Sequence, residues 1–497
     1  MSAYVLAVDQ STQGTKGLIF DEKGIPVARA DRPHRQIINE QGWVEHDPVE
    51  ILHNTCAVCA DVIDKSGIST EEIVAFGISN QRETTVAWNK TTGKPVCNAI
   101  VWQCARAAQI CSLHEGEAEA IYRKTGIPLS PYFPASKMQW IMENIPLAKV
   151  LAEKDELALG TIDSWLIYHL GTERHCLTDY SNASRTQLFD IAKLCWDHAL
   201  CASFKIPETA LPEVRMSDSV FGETDLDGLL PKAVPICGVM GDSHGALFGQ
   251  NCRLPGQLKA TYGTGSSVML NIGDRPIFNE SGLVTSLAWG ENGKVEYVLE
   301  GNLNYTGAVI SWLKDNVGLI SHARDTGPMA AIANPDDRCY FVPAFTGLGS
   351  PYWDSKATGL LTGVTRTTGR NEIIKACVEC IAYQIADLVF LMKEGFGGKL
   401  STLKVDGGPT SNEYLMQFQS DILASDVMVP ELQELSGMGV AYMAGISIGL
   451  YDPDMIFDHV RHSVYESKMQ EKHRAERYAG WKAAVKQALT HDERKGL

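Results

Sequence analysis

One local pattern occurs twice, about half a chain apart, and it constrains the fold more than any other feature. Tyr4 to Val8 is a near-continuous apolar strand. It breaks at Asp9-Gln10-Ser11-Thr12-Gln13-Gly14-Thr15-Lys16 and resumes as Gly17-Leu18-Ile19-Phe20. Leu258 to Tyr262 is a second such strand, which ends in Gly263-Thr264-Gly265-Ser266-Ser267 and resumes as Val268-Met269-Leu270. Strand, Gly/Ser/Thr turn, strand at two places predicts a duplicated architecture, with each half offering one turn to a shared cleft. Glycine lets a backbone come close to a ligand, and the N–H groups and hydroxyls of such turns suit phosphate oxygens. At 497 residues the chain is too long for a single core. The predicted division is 1–250 and 251–497, with the boundary near Gln250 to Pro255.

Several side chains at strand ends could carry chemistry. Pro235 to Met240 reads as a buried strand. It breaks at Gly241, presents Asp242-Ser243-His244, and gives way to a helix pattern from Gly245 to Gly249. A carboxylate there can take a proton from an attacking hydroxyl; it can equally be an ordinary acidic surface residue. Asp9, heading the first turn, suits Mg2+ held through water, or a cap on the turn. Arg82-Glu83 follows the strand Ile73 to Ser79 and can hydrogen-bond vicinal hydroxyls, or form a surface ion pair worth little. Trp102, near the end of the strand pattern Asn98 to Gln103, offers a flat wall for the carbon face of a polyol, or fills core. Leu403 to Val405 runs into Asp406-Gly407-Gly408 and a helix from Glu413, an arrangement that can carry a nucleotide but is also common turn chemistry.

Composition excludes some partners. Sixty acidic against 44 basic residues give a net charge of −16, the wrong sign for a nucleic-acid partner. No apolar run approaches the ~18 residues of a membrane span. Met1-Ser2-Ala3-Tyr4 enters a strand with no basic leader, so the expected location is cytoplasmic. Cys56/Cys59 and Cys377/Cys380 have metal-like spacing. Both pairs lie in helix patterns without knuckle turns, and read as core filling.

With these residues in view the chain resembles the FGGY carbohydrate kinases, and within them the glycerol kinases. The resemblance runs from Tyr4 to about Asp452. It is carried by Gly42 to Pro48, Asn80 to Thr85, Asn98 to Cys104, Tyr132 to Asn144, Thr178 to Thr186, Val342 to Asp354, Gly359 to Glu379 and Met416 to Asp421. It implies an α/β fold of two actin-like ATPase (ribonuclease H-like) domains around a central cleft that closes on substrate. It implies transfer of the γ-phosphate of ATP to a primary hydroxyl of a small polyol or ketose, with Mg2+ near Asp9 and Asp242 as the base. Arg82, Glu83, Trp102, Tyr132 and Asp242 would then contact the acceptor; Thr12, Gly263, Thr264, Gly307, Gly408 and Asn412 would contact nucleotide. A homo-oligomer, dimer or tetramer, is the analogy.

The sequence departs from that pattern in three places. Glycerol kinases read Asp-Gln-Gln-Ala where this chain has Asp242-Ser243-His244-Gly245. They carry an aromatic residue where it has Ser267, and a second threonine where Gln13 follows Thr12. Losing a long amide and an aromatic leaves room and adds hydroxyls. The expectation is an acceptor longer than glycerol, a tetrose or pentose derivative, with Ser243, His244 and Ser267 at its far end. Glycerol itself is the alternative. A non-catalytic actin-like nucleotide switch is a remote third reading, since both Asp9 and Asp242 are kept.

Overall fold

β1 (Tyr4–Gln10) is buried along nearly all its length, as an unbroken apolar run demands of a strand covered on both faces. It pairs antiparallel with β2 (Gly14–Phe20), which pairs antiparallel with β3 (Pro26–Pro33). α1 (Pro48–Ser66) carries the chain to β4 (Ile73–Asn80), parallel to β1. The limits of α1 are set locally. The Asp47 side chain accepts the Val49 N–H, Pro48 begins the first turn, and Gly67 closes the last one at φ 69°. β5 (Thr85–Asn89) leaves this sheet for a separate five-stranded one, on which α2 (Pro134–Asn144) packs. The chain returns as β6 (Val234–Gly241), parallel to β4, and runs directly into α3 (Asp242–Gly249). The computed structural model describes residues 2–279 and 282–490.

The second half repeats this plan. β7 (Leu258–Tyr262), β8 (Ser266–Gly273), β9 (Val284–Glu291) and β10 (Lys294–Leu303) are antiparallel neighbours in the order β7-β8-β10-β9. α4 (Gly307–Asp315) and the long α5 (Arg370–Phe396) follow. β11 (Leu403–Asp406) then adds parallel to β7, α6 (Glu413–Leu423) crosses over, and β12 (Val427–Pro430) adds parallel to β11. The spatial order β10-β8-β7-β11-β12 reproduces β3-β2-β1-β4-β6 strand for strand. α7 (Leu435–Ser447) and α8 (Glu471–Ala488) complete the chain.

Two local expectations need correction. Only Ala99–Ile100 of the Asn98–Gln103 stretch is strand, so Trp102 sits on a turn. The chain beyond His459 has the pattern of a charged helix, but the structure shows more than that. His462–Tyr465 adds a strand to the second sheet, and Trp481 of α8 is buried, stacked on Tyr383 at 5.3 Å with its indole N–H on Asp387. Residues 491–497 of that tail lie outside the described residues. Cys59, Cys377 and Cys380 are buried within their helices; Cys56 is half-buried.

The two halves interlock through α3 and α7. α7 lies on β1, β4 and β6 of the first sheet, while Phe248 of α3 packs edge-on against Trp289 of β9 at 5.2 Å. The two helices cross with their backbones nearly touching. A Cβ on Gly439 would fall 1.9 Å from the Gly245 carbonyl oxygen, and one on Gly249 would fall 2.4 Å from that of Leu435. No side chain larger than hydrogen fits at this crossing. Gly439→Ala is therefore expected to lower stability by about 1–3 kcal/mol, the usual range for overpacking a closed site. Denaturant unfolding checks it, and an unchanged midpoint would mean the crossing can spread at no cost.

Candidate active site

Four short segments converge where the two halves meet. The first is the β1–β2 turn. Asp9 is buried; its Oδ1 accepts from Ser79 Oγ at 2.9 Å and its Oδ2 lies 3.5 Å from Lys16 Nζ. At the turn's tip, Thr12 Oγ1 accepts the Trp102 indole N–H at 3.0 Å.

The second segment links β4 to β5, and so joins two sheets. Here Glu83 adopts φ 58°, with the Thr84 N–H closing a three-residue turn on the Arg82 carbonyl at 2.7 Å. A side chain in the left-handed region at the centre of so tight a turn is strained. The strain aims Arg82 and Glu83 at different partners. Arg82 makes a bidentate pair with Glu300, Nη1–Oε2 at 3.0 Å and Nη2–Oε1 at 2.8 Å, and its Nε lies 3.3 Å from Asp242 Oδ1. Glu83 Oε1 accepts from Arg185 Nε at 2.6 Å. The two are not paired with each other, as a surface ion pair would be. Arg185 Nη1 also reaches Glu300 Oε2, at 2.7 Å.

The third segment opens α3. Asp242 is the first residue of that helix rather than the last of the strand, and the Ser243 N–H donates to its Oδ1 at 2.6 Å. Its place deep in the cleft, reinforced by the carboxylates of Asp9 and Glu83, pushes its carboxyl up to about 6, although Arg82 pulls the other way. A carboxylate with an affinity for protons in that range suits general-base work near neutral pH. His244 is fully buried, and neither ring nitrogen has a partner among the described residues. Burial, then the Arg82 charge, holds it neutral.

An aromatic wall stands opposite. Trp102 and Tyr132 rings lie 5.3 Å apart, and Tyr132 and Phe133 rings 5.0 Å apart. The buried Lys137 fixes this loop by donating Nζ to the carbonyls of Pro131 and Tyr132. Burial lowers that ammonium to about 7. Ser267 Oγ completes the floor, donating to Glu300 Oε1 at 3.2 Å.

The fourth segment is the β7–β8 turn, which leads to the nucleotide-sized space. Gly263 and Thr264 are exposed at its tip. The Gly307 N–H donates to the Gly263 carbonyl at 2.9 Å, an approach so close that a Cβ on Gly307 would sit 2.4 Å from that oxygen. Beyond Gly307 opens a cavity of about 1250 Å3 lined by residues that include Gly307, Thr326, Gly408, Asn412 and Gln417. Asn412 caps α6 through the Leu415 N–H and donates to Thr326 Oγ1 at 3.1 Å. A Cβ on Gly408 would meet nothing within 4 Å, so its backbone faces open space.

Of the residues singled out from sequence, Arg82 and Ser267 bond Glu300 directly, Asp242 joins through Arg82, and Glu83 joins through Arg185. Asp9, Thr12, Trp102 and Tyr132 border them, while Gly307, Gly408 and Asn412 line the 1250 Å3 cavity and Gly263 and Thr264 stand beside it. His244 sits within the floor and touches none of them by hydrogen bond. Sequence reasoning missed Glu300 and left Arg185 without a role. The signal for Glu300 was a lone carboxylate inside the apolar strand Tyr297-Val298-Leu299-Glu300-Gly301. Among the described residues no cluster of three or more His, Cys, Asp or Glu is arranged to hold a metal. Asp9 is nonetheless a buried hard-oxygen donor at the mouth of a phosphate-sized turn. That fits Mg2+ in the manner it prefers, held by one carboxylate, nucleotide phosphates and water.

Comparison with known proteins follows the same lines. Residues 4–249 match the FGGY family of carbohydrate kinases, N-terminal domain, and residues 258–448 its C-terminal domain. The chain is 45% identical over 493 residues to the glycerol kinase of Treponema denticola, covering 98% of this chain and 99% of that one. It is 46% identical over 494 residues to glycerol kinase 1 of Thermotoga maritima, covering 98% and 100%. The solved structure of Plasmodium falciparum glycerol kinase with ADP superimposes with a TM-score of 0.92 at 34% identity, covering 99% of both chains. No helix among the described residues is long and apolar enough to cross a membrane.

Two outcomes are expected at Asp242. Asp242→Asn should leave nucleotide binding intact and cost at least ~100-fold in kcat; near-normal turnover would remove Asp242 from the chemistry. Because its carboxyl titrates at about 6, kcat/KM should fall as the pH drops through that value and the base takes up its proton. A profile flat from pH 5 to 8 would contradict this.

Proposed function

The chain belongs to the FGGY family of carbohydrate kinases, ATP-dependent phosphotransferases with an alcohol group as acceptor, and from that premise we propose that it phosphorylates glycerol at a primary hydroxyl. The observation that carries the reading is the placement of Asp242. It stands beside Arg82 in a pocket with an aromatic wall, across the cleft from the β7–β8 turn that leads to the 1250 Å3 cavity.

In this reading the aromatic wall of Trp102 and Tyr132 packs on the acceptor's carbon face. Arg82 and Glu83, held in fixed directions by Glu300 and Arg185, take its vicinal hydroxyls. The Asp242 carboxylate removes the proton of the remaining primary hydroxyl as its oxygen attacks the γ-phosphorus. A new oxygen–phosphorus bond forms, the bond from the γ-phosphorus to the bridging oxygen breaks, and ADP departs. The turns at Thr12 and at Gly263 and Thr264 hold phosphate oxygens from opposite sides, and Gly307, Gly408 and Asn412 hold the rest of the nucleotide. Mg2+, with Asp9 beside it, would neutralise phosphate charge when bound. The helix N-terminus beneath Asp242 and the Arg82 charge keep the base ionised above its titration point.

The acceptor identity rests on the near-complete coverage by relatives named glycerol kinase at 45% identity. That likeness favours glycerol over the longer tetrose or pentose acceptor suggested by Ser243 and Ser267. ADP release with Mg-ATP across glycerol, erythritol, threitol, erythrulose, ribulose, xylulose, ribitol and water alone tests it. Glycerol is expected to give the highest kcat/KM. A higher value for a four- or five-carbon acceptor would overturn glycerol and make the two serines specificity residues; release in water alone would overturn the acceptor site itself.

A further inference from the structure

Glu300 stands out as a group that no sequence motif announced and that the proposed chemistry uses only to hold Arg82. It is fully buried on β10 of the second half, yet its carboxylate is shared by two arginines of the first half and by Ser267. Burial would raise its carboxyl, but Arg185 and Arg82 hold it well below the usual range. A charge kept ionised in so dry a place is justified only by what it orders. What it orders on one side is the acceptor pocket, since Arg82 and, through Arg185, Glu83 take their directions from it.

The other side is the phosphate turn. β10 ends at Leu303, three residues beyond Glu300. The next residues are stitched to the β7–β8 turn. The Thr306 N–H and the Ala308 N–H both donate to the Thr264 carbonyl at 3.0 Å, Thr306 Oγ1 donates to the Gly263 carbonyl at 3.1 Å, and Ser266 Oγ donates to Thr306 Oγ1 at 2.9 Å. A Cβ on Gly265 would lie 2.3 Å from the Leu303 carbonyl oxygen, so turn and strand end cannot shift independently. Ser267, which bonds Glu300, is the neighbour of Ser266 on β8. Two adjacent strands thus run from the Glu300 carboxylate toward the β7–β8 turn, one through β8 and one through the end of β10 and the residues that follow it.

We propose that Glu300 is a positioning residue that couples acceptor binding to nucleotide binding. An acceptor that settles Arg82 and Glu83 settles Glu300, and with it the Gly263–Ser266 turn. By linkage the acceptor tightens nucleotide to the same degree that nucleotide tightens the acceptor. This rests on the acceptor pocket lying at Arg82 and Glu83.

The experiment is calorimetric titration of AMP-PNP with Mg2+ into the full chain, with and without saturating glycerol, for the natural protein, Glu300→Gln and Ser267→Ala. Glu300→Gln keeps the shape and removes the charge. Ser267→Ala removes one of the two donors on Glu300 Oε1, leaving Arg82, without stranding a buried charge, and so carries the test if the first variant does not fold. The natural protein should bind the analogue at least tenfold tighter with glycerol. Glu300→Gln should bind it as the natural protein does without glycerol, and gain less than twofold from adding it. Ser267→Ala should lose at least a threefold part of the gain. A full gain in Glu300→Gln, or in Ser267→Ala where that variant alone folds, overturns the proposal. So does a natural protein that turns over glycerol yet shows no gain, and that result leaves the proposed function standing. If glycerol is not turned over, the proposed function fails instead, and the best acceptor of the panel replaces glycerol in the same titration.

Discussion

The structure depends on one close contact, the crossing of α3 and α7 at Gly245, Gly249 and Gly439. Two helix backbones can approach this far only where no Cβ intervenes. α3 begins with Asp242, and α7 follows directly on Glu434, which pairs with Lys16 of β2 at 2.8 Å and with Arg29 of β3. Setting the separation of these helices therefore sets where Asp242 stands relative to the β1–β2 turn. It also seats α7 on the first sheet, so that each half completes the core of the other. The cleft is what remains between two sheets whose nearest helices are locked at a fixed distance.

Upon that frame lies a second constraint, the charge network of Arg82, Arg185, Glu83 and Glu300. Removing one partner of a buried ion pair typically costs about 3–5 kcal/mol, because the survivor is left charged and dry. The network is thus costly to break, and Arg82 stands between Glu300 and Asp242. One guanidinium faces two carboxylates with opposite tendencies. Glu300 is held ionised by two arginines, whereas Asp242, with half that support and other carboxylates nearby, gains affinity for protons. Environments that push two carboxylates apart in this way leave one a fixed anion and the other able to exchange a proton near neutral pH.

The strain at Glu83 belongs to the same design. Ordinary extended backbone at this point would send Arg82 and Glu83 to opposite faces of a continuing strand. The tight turn delivers both side chains into one pocket, each to its own counter-charge. The surrounding ion pairs and the switch from β4 to β5 hold that conformation in place.

Much of this was legible in the sequence, because the relevant signals are local. Apolar runs broken by Gly/Ser/Thr turns determined β1–β2 and β7–β8 and their duplication, since strand pairing across a short turn needs only neighbouring residues. The helix pattern from Val49 to Ile63 lies within α1, whose ends Asp47-Pro48 and Gly67 then set through their caps. Their places at strand ends singled out Asp9 and Asp242, a motif-length match carried Arg82, and the family resemblance implied Asn412. What only the tertiary structure decided involves partners far apart in the chain. Glu300 meets Arg82 across 218 positions and Arg185 across 115, and nothing local in a strand announces which buried charge will find it. The position of Trp102 on a turn, the strand His462–Tyr465, and the burial of Trp481 were settled by the sheets and helices they dock against. Adjacent Arg82 and Glu83 read as a pair along the chain; the fold separated them, because each gained a fully buried partner that a neighbour on the same turn could not supply.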